Sequence, residues 1–312
     1  MVASALAAEV TRARYILAPP TLPRVSFVIP SLPADPRLAA LLDLLPRQGF
    51  APGGYEVLVA AYGSAIGRDR VAATLAAAAE ARGEYVWVLD AGDRPPANGA
   101  ATLVARMATE RLDAMAFGFR TISARAAARL RYDFPRRLPR APIMEGASML
   151  SRHDFRCELS TALARAQLWR DFVLPAVPGV SVFTERTLTP RLLLRAHRAT
   201  WLPLAAIGRL EGPADPDIEG AALTAQSLRG LVAELRDEGN PSENLALRLL
   251  RRAELVAVDG LWALRQAGAS RDEMRRARAR LREVEALPFR HLGRPEATLG
   301  VRLRRWLVAG RR

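Results

Sequence analysis

The feature that most constrains this chain is the alternation, between Val25 and Phe119, of short, mostly apolar runs with helix-forming stretches. Val25-Ser26-Phe27-Val28-Ile29, Tyr55-Glu56-Val57-Leu58-Val59-Ala60, Tyr85-Val86-Trp87-Val88-Leu89 and Ala114-Met115-Ala116-Phe117-Gly118-Phe119 are rich in β-branched and aromatic residues. Such runs lack the polar alternation of a half-exposed strand and suit strands buried on both faces of a parallel sheet. Between the first two, Asp35-Pro36 reads as an N-cap with proline in the first helical position, and Leu38, Leu41, Leu42 and Leu45 fall on one face of a helix that stops before Pro46. An Ala-rich helix from about Asp69 to Arg82, with Gly83 as its C-terminal cap, and a helix from about Asn98 to Arg111 fill the next two intervals. Strand and helix in strict alternation predict an α/β fold, a mostly parallel central sheet flanked by helices.

The alternation decays further on. Residues 121 to 158 are Arg-rich and carry Pro135, Pro139 and Pro142, which predicts a connection of the kind that lies over a binding cleft. A short helix from about Ser160 to Trp169, another from Thr189 to Ala199, and a strand-like Trp201-Leu202-Pro203-Leu204 follow. After Gly212-Pro213 the pattern turns helical. Leu228, Leu231, Val232 and Leu235 share a face closed by Gly239, Asn240-Pro241-Ser242-Glu243 opens the next helix, and Ser270 with Glu273 repeats that capping signature. The expected organisation is an α/β domain over 24–212 and a helical, basic C-terminal region over 213–312.

Charge narrows the partners. The formal net charge is +14, all 46 basic residues are arginine, and residues 271–312 hold 13 Arg against 5 Asp or Glu. A basic tail seeks an anionic surface. Aromatic residues are only 6%, with no zinc-finger or RNA-recognition signature, so nucleic acid is not expected. In Leu299–Arg312, Val301, Leu303, Trp306, Leu307 and Val308 alternate with Arg302, Arg304, Arg305, Arg311 and Arg312, an amphipathic pattern suited to an anionic membrane leaflet or to docking on the protein's own body. Glu9, Arg12 and Arg14 interrupt the apolar stretches of Met1–Pro20, and no run of about 18 apolar residues occurs, so neither a signal peptide nor a spanning helix is expected. Cys157 is the sole cysteine and excludes an intramolecular disulfide; three scattered histidines offer no soft-metal cluster. The expected location is the cytoplasm, peripheral on the inner face of the membrane.

In a parallel α/β sheet, ligands bind beyond the carboxyl ends of the strands, where loops and helix N-termini converge. Here those ends are Pro30-Ser31-Leu32, Ala60-Ala61-Tyr62-Gly63-Ser64 and Asp90-Ala91-Gly92-Asp93. An acidic pair at the end of a buried strand needs solvent, donors or a cation, and a hard divalent ion bridging a diphosphate would satisfy it. The plainer alternative is a strand-end turn in which Asp90 and Asp93 cap the following helix. Tyr62 is placed to stack on a base, and Gly63-Ser64 serves either as a nucleotide contact or as a turn.

On these residues the chain resembles a family-2 glycosyltransferase of the GT-A fold, over about residues 24 to 210. The opening strand with its Pro30-Ser31 turn, the Leu38–Leu45 helix, the Gly63-Ser64 turn and the run from Ala78 through Gly83-Glu84-Tyr85 to Asp93 carry the likeness. The resemblance implies that Asp90 and Asp93 hold Mg2+ or Mn2+, and that Pro30, Ser31, Tyr62, Gly63, Ser64 and Asp90 bind a nucleotide-sugar donor. It also places Glu185, in Phe183-Thr184-Glu185-Arg186, as catalytic base toward a glycan or lipid-linked acceptor. Two departures stand out: Ala61 and Tyr62 replace acidic residues of the second loop, and Gly92 replaces an aspartate of the metal pattern. The implied activity is inverting transfer in surface polysaccharide synthesis; a GT-A-like protein that binds or scaffolds without turnover is the alternative.

Overall fold

The computed structural model of the chain describes residues 14–15, 23–63, 67–123, 134–135, 137–153, 158–173, 185–210, 217–238 and 243–284. Ser64, Gly239, the Asn240–Ser242 cap, Cys157, Met1–Pro20 apart from Arg14–Tyr15, and the Leu299–Arg312 tail lie outside these residues. The chain divides into two compact units, Met1–Ser181 with Leu188–Gly212, and Val182–Thr187 with Pro213–Arg312.

The first unit is built on a nine-stranded sheet. Its elements in chain order are β1 (Arg14–Tyr15), β2 (Val25–Ser31), α1 (Pro36–Leu42), β3 (Tyr55–Ala61), α2 (Gly67–Glu80), β4 (Tyr85–Val88), β5 (Asp93–Arg94), α3 (Gly99–Thr109), β6 (Ala114–Ile122), β7 (Ile143–Met144), α4 (Gly146–Arg152), β8 (Ala162–Arg165), α5 (Glu185–Leu194, of which Leu188 onward belongs to this unit) and β9 (Ala199–Leu210). The order across the sheet is β1-β3-β2-β4-β8-β6-β9-β5, with β7 beside β9. The pairs β2–β3, β2–β4 and β6–β9 are parallel, and β8 runs antiparallel to both β4 and β6. Strands β2, β3, β4, β6 and β9 therefore point the same way, so their carboxyl ends share one edge.

The apolar runs form the strands they predict, because only a site covered on both faces shelters such surface. Every residue of β2 is buried, Phe27 packs on Trp87 of the neighbouring β4, and Trp87 meets Phe117 of β6 edge-on at 5.5 Å. Such aromatic pairs add roughly 0.5–1.5 kcal/mol beyond the area they bury. Leu103, Met107 and Leu41 cover this layer from α3 and α1. The predicted Asp35 cap is present, its carboxylate accepting from Arg37 N at 2.9 Å.

Three expectations change. Ser160–Trp169 is not one helix: Leu159–Thr161 makes a 3-10 turn and Ala162–Arg165 is strand β8, wedged between β4 and β6, before a helical turn at Ala166–Leu168. Pairing on both edges overrides the helix preference of an Ala-Leu-Ala run. The strand read at Trp201–Leu204 extends over twelve residues to Leu210, with Pro203 exposed at an irregularity of the β6–β9 register, where a missing N–H is tolerated. Gly83 is not a left-handed cap, since its φ is not positive. It is required by proximity: a Cβ there would lie 2.6 Å from Ser26 N and 2.7 Å from the Val25 carbonyl carbon, while Gly83 N donates to Ser26 Oγ at 2.8 Å.

The second unit is helical, with α6 (Ile218–Asp237), α7 (Glu243–Gln266) and α8 (Arg271–Glu283). Leu228, Leu231 and Val232 of α6 and Leu249, Val258 and Leu261 of α7 are buried, and the Ser270–Glu273 capping box is complete. Among the described residues, no helix is long and apolar enough to cross a membrane.

Candidate active site

Parallel pairing sets the site. In β2 against β3, Ser31 stands opposite Ala61, and in β2 against β4, Val28 stands opposite Val88. Tyr62 N donates to Ser31 O at 3.3 Å, and Leu89 N donates to Val28 O at 2.9 Å. Continuing these registers brings the Pro30-Ser31, Tyr62-Gly63 and Asp90–Asp93 turns side by side. Ser31 is buried with its hydroxyl turned to Leu32 O, Tyr62 is half-buried, and Gly63 is exposed with open space around its α-carbon.

Asp90-Ala91-Gly92-Asp93 is a closed turn. Asp93 N donates to Asp90 O at 2.8 Å, and Asp90 N donates back to Asp93 Oδ2 at 2.8 Å, so Asp93 caps the turn itself, whereas Asn98 stands at the N-cap position of the following helix α3. The second Asp93 oxygen faces β9. Asp93 and Arg209 are cross-strand partners in the β5–β9 ladder, and Arg209 Nε donates to Asp93 Oδ1 at 2.9 Å. The same guanidinium bonds Glu158 and Ser160 Oγ and lies 3.3 Å from Asp90 Oδ2. Its flat face covers the Phe119 ring at 4.6 Å.

Two further arginines reach this turn from the helices that follow β2 and β3. Arg70, in the first turn of α2, pairs with Asp90 Oδ1. Arg37, in the first turn of α1, is held by Asp35 at 2.7 Å, and its NH1 lies 3.6 Å from where a Cβ on Gly92 would stand. Behind them Arg94 is buried and donates to the carbonyls of Ala91 and Asp93 at 2.9 and 2.7 Å. The sequence did not single out Arg37, Arg70, Arg209 or Glu158; for Arg37 and Arg70 the available signal was a basic residue in the first turn of the helix after a buried strand.

The two carboxyls are pushed apart. Burial, then the charge of Asp90, raises Asp93 to about 6 against the opposing pull of Arg209. Burial also works against ionised Asp90, but Arg70 and Arg209 overcome it and hold Asp90 below the ordinary carboxylate range. At neutral pH the turn thus carries a firmly ionised Asp90 beside an Asp93 that titrates just below neutrality.

This arrangement fits a guanidinium better than Mg2+ or Mn2+. Each Asp90 oxygen and Asp93 Oδ1 faces an arginine, Asp93 Oδ2 is spent on the backbone, and among the described residues no group of three His, Cys, Asp or Glu is grouped to hold a metal. Glu185 opens α5 and falls in the second unit, its side chain outside the described residues.

No protein-family model and no curated protein matches the chain. Solved structures do match. S. aureus TarS 1-349 is similar at a TM-score of 0.53 and 13% identity, over 84% of this chain and 89% of that one. Against S. aureus TarS the TM-score is 0.51 at 15% identity over 86% of this chain, which spans 50% of that protein. The mannosyltransferase PcManGT from Pyrobaculum calidifontis, in complex with GDP-Man and Mn2+, is similar at 0.46 and 16% identity over 94% of this chain and 80% of that one. TarS is a GT-A-type glycosyltransferase. With five co-directed strands flanked by helices and its turns gathered at their carboxyl ends, the chain has the GT-A glycosyltransferase fold.

Proposed function

We propose that this protein is an inverting glycosyltransferase that moves a sugar from a nucleoside-diphosphate sugar to a glycan or lipid-linked acceptor in surface polysaccharide synthesis. The observation that carries the reading is the convergence of the first three parallel strand ends on the Asp90 turn, with Arg37 and Arg70 brought there by the following helices. Pro30, Ser31, Tyr62 and Gly63 at those ends, with Ser64 and Asp90, form the donor site, in which Tyr62 stacks on the base. Residues 24–212 are the transferase domain and 213–312 the helical basic region.

Glu185 acts as general base. Its carboxylate takes the proton of the acceptor hydroxyl as that oxygen bonds to the anomeric carbon from the face opposite the diphosphate. The bond from the anomeric carbon to the diphosphate oxygen breaks with its electron pair, so the nucleoside diphosphate leaves and the configuration inverts. Guanidinium groups meet the charge that develops on the leaving oxygen, since Arg binds phosphate through paired, charge-assisted hydrogen bonds.

Purified protein incubated with UDP-GlcNAc and GDP-mannose, and with the other common sugar nucleotides, tests this: donor binding with slow release of free sugar supports it, and neither event with any donor refutes it. One observation favours the non-catalytic alternative, namely that Asp90 and Asp93 are both engaged by arginine. That reading requires donor binding with no turnover against any acceptor. The basic tail over 299–312 is assigned to an anionic leaflet, placing the protein peripherally on the cytoplasmic face of the membrane. Flotation with anionic liposomes, lost when 299–312 are deleted, checks that assignment.

A further inference from the structure

The carboxylates Asp90, Asp93 and Glu158 surround one guanidinium, that of Arg209. All three of its nitrogens face protein acceptors, Phe119 closes one face, and the side chain is 21% exposed. A divalent ion entering among these carboxylates would have to displace Arg209, and it would stand close to Arg70 as well, which already pairs with Asp90. The arginine is not an incidental neighbour. Its backbone is fixed opposite Asp93 by the β5–β9 ladder, reinforced by Leu210 N donating to Gly92 O at 3.0 Å, so the pairing is built into the sheet.

The opposite side of the turn is differently made. Gly92 presents no side chain, and the space a Cβ would occupy lies under Arg37, whose side chain is 51% exposed. Arg70 is 24% exposed at the same edge. Two guanidiniums therefore border the solvent side of a turn whose inner side is engaged by a third. An anion approaching from solvent meets arginine first.

We infer that the site takes the diphosphate of its donor without a divalent ion, Arg209 holding the carboxylates in the place of a metal while Arg37 and Arg70 meet the phosphates. This rests on the turn being the donor site. Arginine is suited to both tasks, because it stays charged, accepts no proton exchange near neutral pH, and matches carboxylate and phosphate alike with two parallel donors.

Titration calorimetry of the full chain with UDP and with GDP, in EDTA and again in Mn2+, tests the inference beside an electron paramagnetic resonance titration of Mn2+ alone. The expected results are a nucleoside diphosphate that binds equally in both buffers, within about threefold, and a Mn2+ signal that stays that of the free ion. Arg37→Gln, at an exposed position, is expected to weaken binding in EDTA by about tenfold, and binding unchanged by that substitution overturns the inference. Should that variant not fold, Arg70→Gln, at the same edge, is expected to weaken binding in EDTA by a similar factor. Binding in the unaltered chain that requires Mn2+ and vanishes in EDTA overturns the inference and leaves the donor site standing. Binding in neither buffer overturns the donor site and the inference together.

Discussion

Replacing Arg209 by methionine keeps most of its volume and removes the positive charge paired with Asp93. The carboxylate of Asp93 is fully buried, with Arg209 Nε at 2.9 Å, and Asp90 lies 3.3 Å from the same guanidinium. At an effective dielectric of about 20, each contact is worth roughly 5 kcal/mol of gross attraction, offset in large part by the desolvation of the ions. Breaking a buried pair by removing one partner leaves a net cost of about 3–5 kcal/mol. For a domain of this size that corresponds to a fall in Tm of roughly 6–20 °C.

The loss should depend on pH in a definite direction. Asp93 is raised to about 6, chiefly by burial and then by Asp90, so its proton is bound more tightly in the folded chain than in the unfolded one. The resulting strain is absent below about pH 4, grows between about pH 4 and 6, and is complete above it. Without Arg209 the folded value rises further, which extends the loss above neutrality, whereas at pH 5 Asp93 is protonated in both proteins. Thermal unfolding followed by tryptophan fluorescence, with Trp87 buried in this sheet, should show the Arg209→Met deficit at pH 7.5 exceeding that at pH 5 by about 1–2 kcal/mol. A variant that unfolds within about 2 °C of the parent at both pH values would refute the reasoning.

Other outcomes follow from single contacts. Glu185→Gln is expected to leave donor binding unchanged while lowering transfer by at least about a hundredfold, measured as product formed per enzyme; unchanged transfer removes Glu185 from the chemistry. Gly83→Ala forces a Cβ against the β2 backbone and should cost about 1–3 kcal/mol in urea unfolding. Glu56 is buried and accepts from Ser26 Oγ, Arg82 N and Gly83 N, so Glu56→Leu, which strands those donors, should destabilise by roughly 3 kcal/mol and be checked the same way.

The parallel core was legible because a strand buried on both faces leaves its mark in consecutive residues. Phe27, Trp87 and Phe117 needed no knowledge of their neighbours to be placed inside, and the turn after Leu89 followed from the apolar run before it. Strand β8 was not legible, since Ala162-Leu163-Ala164-Arg165 favours a helix until two waiting edges claim it. The long reach of β9 was hidden by Pro203, which an irregular register accommodates. The arginines around Asp90 were the larger omission. Arg209 lies 116 residues from Asp93 in sequence, and only the antiparallel β5–β9 pairing brings them face to face. A sequence shows an acidic pair; whether a metal or a guanidinium answers it is decided by strand order.

A crystal structure of the chain grown with UDP or GDP in EDTA would test the central claim most directly. The account predicts the diphosphate at the carboxyl ends of β2, β3 and β4, within about 3 Å of the Arg37 and Arg70 guanidiniums, with the base beside Tyr62. A nucleotide bound elsewhere on the chain, or a site that stays empty in EDTA and fills only when Mn2+ replaces EDTA in the crystals, would contradict it.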